Sequence, residues 1–181
     1  MSLQIYILTK LMEENSYPYK VKKALSEPVP FAEMSNLTDS KLYYHFDSLA
    51  KKQMIEEVEI IHEANRPDKH IFGITPKGRE ALPEMIYKMI DKAQSPMDMV
   101  VGINAMQYVD KSRVIDILEQ KVARIKKRQH ELNAIYERIE IDEPTLQYVD
   151  VFERFVSEST GLYIATYQHF IRSLLEADEN N

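Results

Sequence analysis

The sequence predicts a mainly helical fold (α+β), with one small β-hairpin near the N-terminus and an all-helical C-terminal half. Three observations predict it. Helically spaced apolar residues recur in three short stretches before residue 54. Two β-branched runs, Ile55–Ile61 and Lys69–Thr75, flank a turn-rich segment. From Asp110 to Ile139 a helical pattern runs without Gly or Pro.

Each element has its own local signal. Ile5, Leu8, Leu11 and Met12 fall near helical spacing and predict a first helix over Leu3–Met12. Ser16-Tyr17-Pro18 restarts the chain, with Ser16 or Tyr17 as cap and Pro18 in the first turn, where its missing N–H costs nothing. The second helix runs from Pro18 to Leu25, with Val21, Ala24 and Leu25 inward and Lys20, Lys22 and Lys23 outward. Glu27-Pro28-Val29-Pro30 stops it. Thr38 caps a third helix reaching about Gln53, whose stripe is Leu42, Tyr43, Phe46, Leu49 and Ala50. The two strands follow, joined across a tip at Glu63–Asp68. Thr75-Pro76 then opens a fourth helix extending toward Ala93. This order is that of a winged helix-turn-helix, with the hairpin as wing.

Beyond it, Ser95-Pro96 breaks the chain and recaps a helix through roughly Tyr108. Leu118, Val122, Ile125, Gln129, Leu132, Tyr136 and Ile139 are spaced alternately by four and three, a heptad seam with one polar interruption. An acidic turn at Glu140–Pro144 leads to a last helix, Thr145 to about Glu176, whose apolar face is wider than a lone helix can hide. Gly161 within it marks a close helix approach or a kink. The expected division is a winged helix-turn-helix DNA-binding domain over residues 1–93 and a coiled-coil-like dimerisation domain over 94–181.

Composition narrows the function. In 181 residues, 44% are hydrophobic and 29% charged, enough for a real core. With no cysteine there is neither a disulfide nor a thiolate metal site. The five histidines lack partners at helical spacing, and only 4 glycines are present, so no phosphate loop exists. No catalytic residue, metal or cofactor is expected. Met1–Tyr6 has no leader pattern and no apolar run reaches the roughly 20 residues of a membrane span, which fits the cytoplasm. The net charge of −6 is uneven: residues 1–82 hold 11 Lys and Arg against 12 Asp and Glu, the remainder 12 against 17. Charge in bulk therefore does not identify a nucleic-acid binder, and any such face must be local.

Three stretches carry a family resemblance. They are Tyr19-Lys20-Val21-Lys22-Lys23-Ala24-Leu25; Leu42-Tyr43 with Phe46 and Leu49; and Arg66-Pro67 ahead of Ile71-Phe72-Gly73-Ile74-Thr75-Pro76-Lys77-Gly78-Arg79-Glu80-Ala81-Leu82. In these the first 82 residues resemble the PadR family of bacterial transcriptional regulators. The resemblance implies, in turn, the helix before the recognition helix, the recognition helix, and the wing with its exit. Pro18 stands where the family usually has Gly, and Tyr44 where it usually has Pro; Tyr44 bears on base preference. The C-terminal half is similar by pattern to the helical dimerisation region of one branch. The resemblance implies a repressor that binds a two-fold operator as a homodimer.

The candidate sites follow from the elements. In a major groove the third helix would offer Ser40, Lys41, Tyr44 and His45 to base edges, with Lys51 or Lys52 near a phosphate. Tyr43, on the stripe, is expected mainly in the core. Arg66 and Lys69 of the wing would meet phosphate, with Lys20 and Lys23 as backbone neighbours, although lysines serve solubility as well. Leu118, Val122, Ile125, Leu132, Tyr136, Phe152, Phe155, Tyr163, Tyr167 and Phe170 are the candidate core or dimer contacts. A small-molecule effector would bind where Phe152, Phe155, Tyr163 and Tyr167 meet Met97, Met99 and Met106; packing explains that enrichment equally well. A rival reading stays open: a winged-helix protein-interaction adaptor that does not read DNA.

Overall fold

The computed structural model describes residues 2–25, 38–62, 68–136, 138 and 143–179. The chain forms two compact units. One contains Met1–Met89 and Asp98–Val109, the other Ile90–Met97 and Asp110–Asn181.

The first unit is built from α1 (Ser2–Glu13), α2 (Pro18–Leu25), α3 (Asp39–Lys51), β1 (Ile55–Ile61), β2 (Lys69–Ile74) and α4 (Pro76–Lys92), followed by a 3₁₀ helix over Pro96–Tyr108. The order and the bounds of β1 match the expectation from sequence, and β2 ends at Ile74, one residue before the expected Thr75. Helix α1 is the centre of this unit. Ile5, Ile7 and Leu8 are wholly buried, and Tyr6, Thr9 and Leu11 nearly so, so it is hidden all round rather than along one stripe. Thr9 meets its buried hydroxyl's need inside the helix, donating to the Ile5 carbonyl at 2.9 Å. Burial, with Glu13 nearby, pushes the Tyr6 phenol up to about 12.

Caps set the starts of the helices. The Val21 N–H donates to the Tyr17 carbonyl, so Tyr17 caps α2 and Pro18 opens it. Thr38 caps α3 as expected, its hydroxyl accepting from the Lys41 N–H at 3.3 Å. At α4 the Thr75 hydroxyl accepts from the Gly78 N–H at 3.1 Å.

Ser16 does something the sequence did not signal. It exchanges two backbone hydrogen bonds with Phe72, of 2.9 and 2.8 Å, and so pairs the outer edge of β2. The hairpin itself is antiparallel, with Ile55 opposite Ile74 and Ile61 opposite Lys69, and is bulged between Glu57 and Glu59.

Two expectations are corrected here. Tyr43 is 54% exposed and not in the core. At 100° per residue, Leu42, Phe46 and Leu49 centre one arc, and Tyr43 lies roughly a quarter-turn away from its middle. The segment Pro96–Tyr108 is 3₁₀ rather than an α-helix. Among its described side chains, Met99, Gly102 and Ala105 are the buried positions. Their spacing of three is the 3₁₀ repeat, and it lets the bare Gly102 take the Met89 side chain.

The second unit is a helical hairpin of α5 (Lys111–Tyr136) and α6 (Glu143–Glu179) with the end of α4. Val114, Leu118, Val122, Tyr167 and Leu174 are buried. Lys121 is a buried cation, donating to the Asp91 and Ala93 carbonyls at 2.8 and 2.7 Å. It thereby satisfies carbonyls at the C-terminal end of α4, where positive charge is favoured. Arg124 pairs with the Asp91 carboxylate at 2.6 Å and holds it below the usual carboxylate range. Gly161 is exposed, and among the described residues nothing lies within 4 Å of the place a Cβ would take, so no described helix approaches closely there. The stop at Glu27–Pro30, the wing tip with Arg66, Ile139 and the turn at 140–142 lie outside the described residues.

Candidate nucleic-acid interface

Helix α3 is fixed from within and open outward. Leu42, Phe46 and Leu49 are at most 1% exposed, and the Phe46 ring packs against Phe72 of the wing at 5.2 Å between centroids. Burying three such side chains contributes about 1.5–3 kcal/mol each. The opposite side presents Ser40, Lys41, Tyr44, Asp47 and Lys51 to solvent, with Tyr43 and Tyr44 54% and 67% exposed. Tyr19, on the first turn of α2, is 66% exposed. These exposed rings at Tyr19 and Tyr43 are the features that sequence reading missed. Tyr19 had a signal, since it lies off the Val21–Ala24–Leu25 stripe.

His45 differs from its neighbours on α3. It is half-buried, its Nδ1 has no hydrogen-bond partner among the described residues, and its ring meets Tyr44 edge-on at 5.5 Å. Burial first, and then positive charge including Lys52, lowers its pKa. Lys52 itself donates to Gln4 at 3.3 Å, and Gln4 in turn donates to Ser48 at 3.1 Å. That ties the end of α3 to α1.

The lysines of α2 are engaged locally. Lys20 pairs with Glu14 at 2.8 Å, Lys22 joins Asp39 of α3 at 2.7 Å, and Lys23 is exposed. On the wing, Lys69 lies over the Tyr17 ring at 5.7 Å. Glu56, Glu57 and Glu59 of β1 are all exposed, so the wing is acidic among its described residues. No group of three or more His, Cys, Asp or Glu able to hold a metal occurs among the described residues. No described helix is long and apolar enough to cross a membrane.

The candidate dimer residues separate into three sets. Leu118, Val122 and Tyr167 are already buried within one chain. Ile125, Leu132, Tyr136, Tyr163 and Phe170 are half-buried along the α5–α6 seam. Phe152 and Phe155 are each 68% exposed, and with Tyr148, Val151 and Leu162, all above 60%, they form a ridge on α6. On a helical projection that ridge sits roughly 100° round from the Val156–Tyr163–Tyr167–Leu174 face. Between α5 and α6 a groove of about 420 Å³ is lined by Ile125, Arg128, Leu132, Tyr136, Glu153 and Tyr163, among others. Of the methionines expected around an effector, Met99 is buried within the first unit and Met97 is 61% exposed.

No protein-family model matches the chain, and no curated protein matches it. Solved structures do. Bacillus subtilis PadR in complex with operator DNA is 13% identical, covering 96% of this chain and 99% of its own, at a TM-score of 0.39. The PadR-like transcriptional regulator BC1756 from Bacillus cereus is 20% identical over 99% of this chain and 95% of its own, at 0.39. The protein smu.1604c from Streptococcus mutans is 16% identical over 96% of each chain, at 0.42.

Proposed function

We propose that the chain is a PadR-like transcriptional regulator that reads a two-fold operator as a homodimer in the cytoplasm and represses by occupying the promoter. The observation that carries this reading is α3. Its apolar side is locked into the core, while Ser40, Lys41, Tyr44 and Lys51 face outward beside a two-stranded wing. In that role Ser40, Lys41 and Tyr44 contact base edges and Lys51 a phosphate; the three PadR-like stretches are in agreement. His45 reads DNA only through its exposed edge. A single winged helix covers only a half-site, so the Phe152–Phe155 ridge serves the second copy. The groove beside Arg128 and Tyr136 is the place in the second unit for an effector, whose binding would alter the spacing of the two recognition helices.

The test is binding to DNA upstream of the protein's own coding region across a salt series. Binding should weaken linearly on a log–log plot as phosphate contacts are lost. Lys41→Ala with Tyr44→Ala should weaken operator binding by tenfold or more and leave the melting temperature unchanged, since both side chains are exposed. Equal loss of binding and stability would assign these residues to the fold instead.

One observation favours the adaptor reading. Glu56, Glu57 and Glu59 line the wing. A partner recognised there would carry basic side chains, and the chain would show no salt-dependent binding to duplex DNA.

A further inference from the structure

The wing carries two histidine–carboxylate pairs to which the site above gives no role. His62 Nδ1 lies 2.8 Å from Asp68 Oδ1, and His70 Nδ1 meets a carboxylate oxygen of Glu57. His70 stands opposite Ile60 and Phe72 opposite Glu57. Because strand side chains alternate, Asp68, His70 and Phe72 share a face, and the two pairs follow one another along it. The side chains of all four partners are between 40% and 75% exposed.

The surrounding charges are mostly committed. Lys69 lies over Tyr17, Lys52 at the foot of β1 is bonded to Gln4, and Glu14, near the Ser16 bridge, is paired with Lys20. Glu56 and Glu59 add two more exposed carboxylates on the hairpin. With neutral histidines, the described hairpin therefore sets Glu56, Glu57, Glu59 and Asp68 against Lys69, which is unfavourable beside a phosphate backbone. Histidine is the side chain whose charge changes between pH 5 and 8.

We infer that His62 and His70 form a proton-gated contact of the wing with the phosphate backbone of duplex DNA. Each takes up one proton from solvent at Nε2, Nδ1–H stays on Asp68 or Glu57, the imidazolium offsets that carboxylate, and the new Nε2–H donates to phosphate. Without those protons the carboxylates repel the backbone. This inference rests on the DNA-binding reading of α3.

The experiment measures affinity of the full chain for its upstream DNA at pH 6 and pH 8, each over a salt series. The dissociation constant should fall by about tenfold from pH 8 to pH 6, and the log–log salt slope should steepen by about one to two, since each added phosphate contact contributes about 0.9. His62→Gln with His70→Gln should flatten both responses, and His62→Gln alone should remove about half. Wild-type binding that is indifferent to pH, or a double variant that retains the response, overturns the inference and leaves the DNA-binding reading in place. Absence of DNA binding at both pH values overturns both.

Discussion

Gln53 has a left-handed backbone, φ 58°, one residue past the C-cap of α3. Its N–H donates to the Ala50 carbonyl at 2.8 Å, and the Met54 N–H reaches back to Leu49 at 3.0 Å. This is a Schellman ending, in which glycine is usual because a Cβ in that conformation costs about 1–2 kcal/mol. Part of that is returned as unfolded-state entropy on going to glycine. Gln53→Gly should therefore stabilise the fold by about 0.5–1 kcal/mol, read as a higher midpoint in urea. An unchanged or lower midpoint would refute the assignment. The neighbouring sequence carried less information at this scale. Ser40, Lys41 and Lys51 were legible as exposed because polar residues off a stripe face water. Tyr43 was not, because a tyrosine at the border of the apolar arc suits either side, and only the packing of Leu42 and Phe46 against neighbouring elements put it outside. His45 likewise departs from the outward position expected of it and is half-buried.

At the scale of elements, the ends of β1 and β2 are clipped together by backbone. The Thr75 N–H donates to the Met54 carbonyl at 3.1 Å, and the Thr75 hydroxyl donates to the Gln53 carbonyl at 2.8 Å. Helix α4 begins on this clip, and a Cβ at Gly78 would stand 2.1 Å from the Met54 oxygen. Gly78→Ala should therefore destabilise by about 1–3 kcal/mol or more, since a backbone atom has to shift. Gly161→Ala is the matched control. That position is helical, exposed and open, so alanine should stabilise by about 0.5–1 kcal/mol. Thermal unfolding of the two variants checks the pair, and a shift of the same sign in both would refute the argument. The elements themselves were largely readable: Pro18, Thr38, Thr75 and the β-branched runs act through neighbours in the chain. The 3₁₀ segment was not. Its apolar residues fit either helix type, and contact between Gly102 and Met89 helps fix the tighter one.

At the scale of the whole molecule, the ridge of Tyr148, Val151, Phe152, Phe155 and Leu162 is more apolar surface than a lone helix keeps in water. If a second copy covers it, Phe152→Asp with Phe155→Asp should weaken the dimer by several kcal/mol, about 1.5–3 for each buried ring. Sedimentation velocity should then show a monomer, and circular dichroism an unchanged helix content. A dimer of undiminished affinity would place the interface elsewhere. Tyr167 gives the contrast, because it is buried within its own chain and its loss to alanine should lower stability instead. The sequence by itself determined the order of helices and strands, their caps and the outward face of α3. Those depend on residues a few positions apart, through 3.6-residue and two-residue periodicity. Only the tertiary structure decided how the heptad seam and the last helix are shared between core and free surface. That outcome depends on which apolar faces meet across large separations in the chain. Leu118 and Phe152 read alike as apolar helix positions, yet one is sealed by its own chain and the other is exposed.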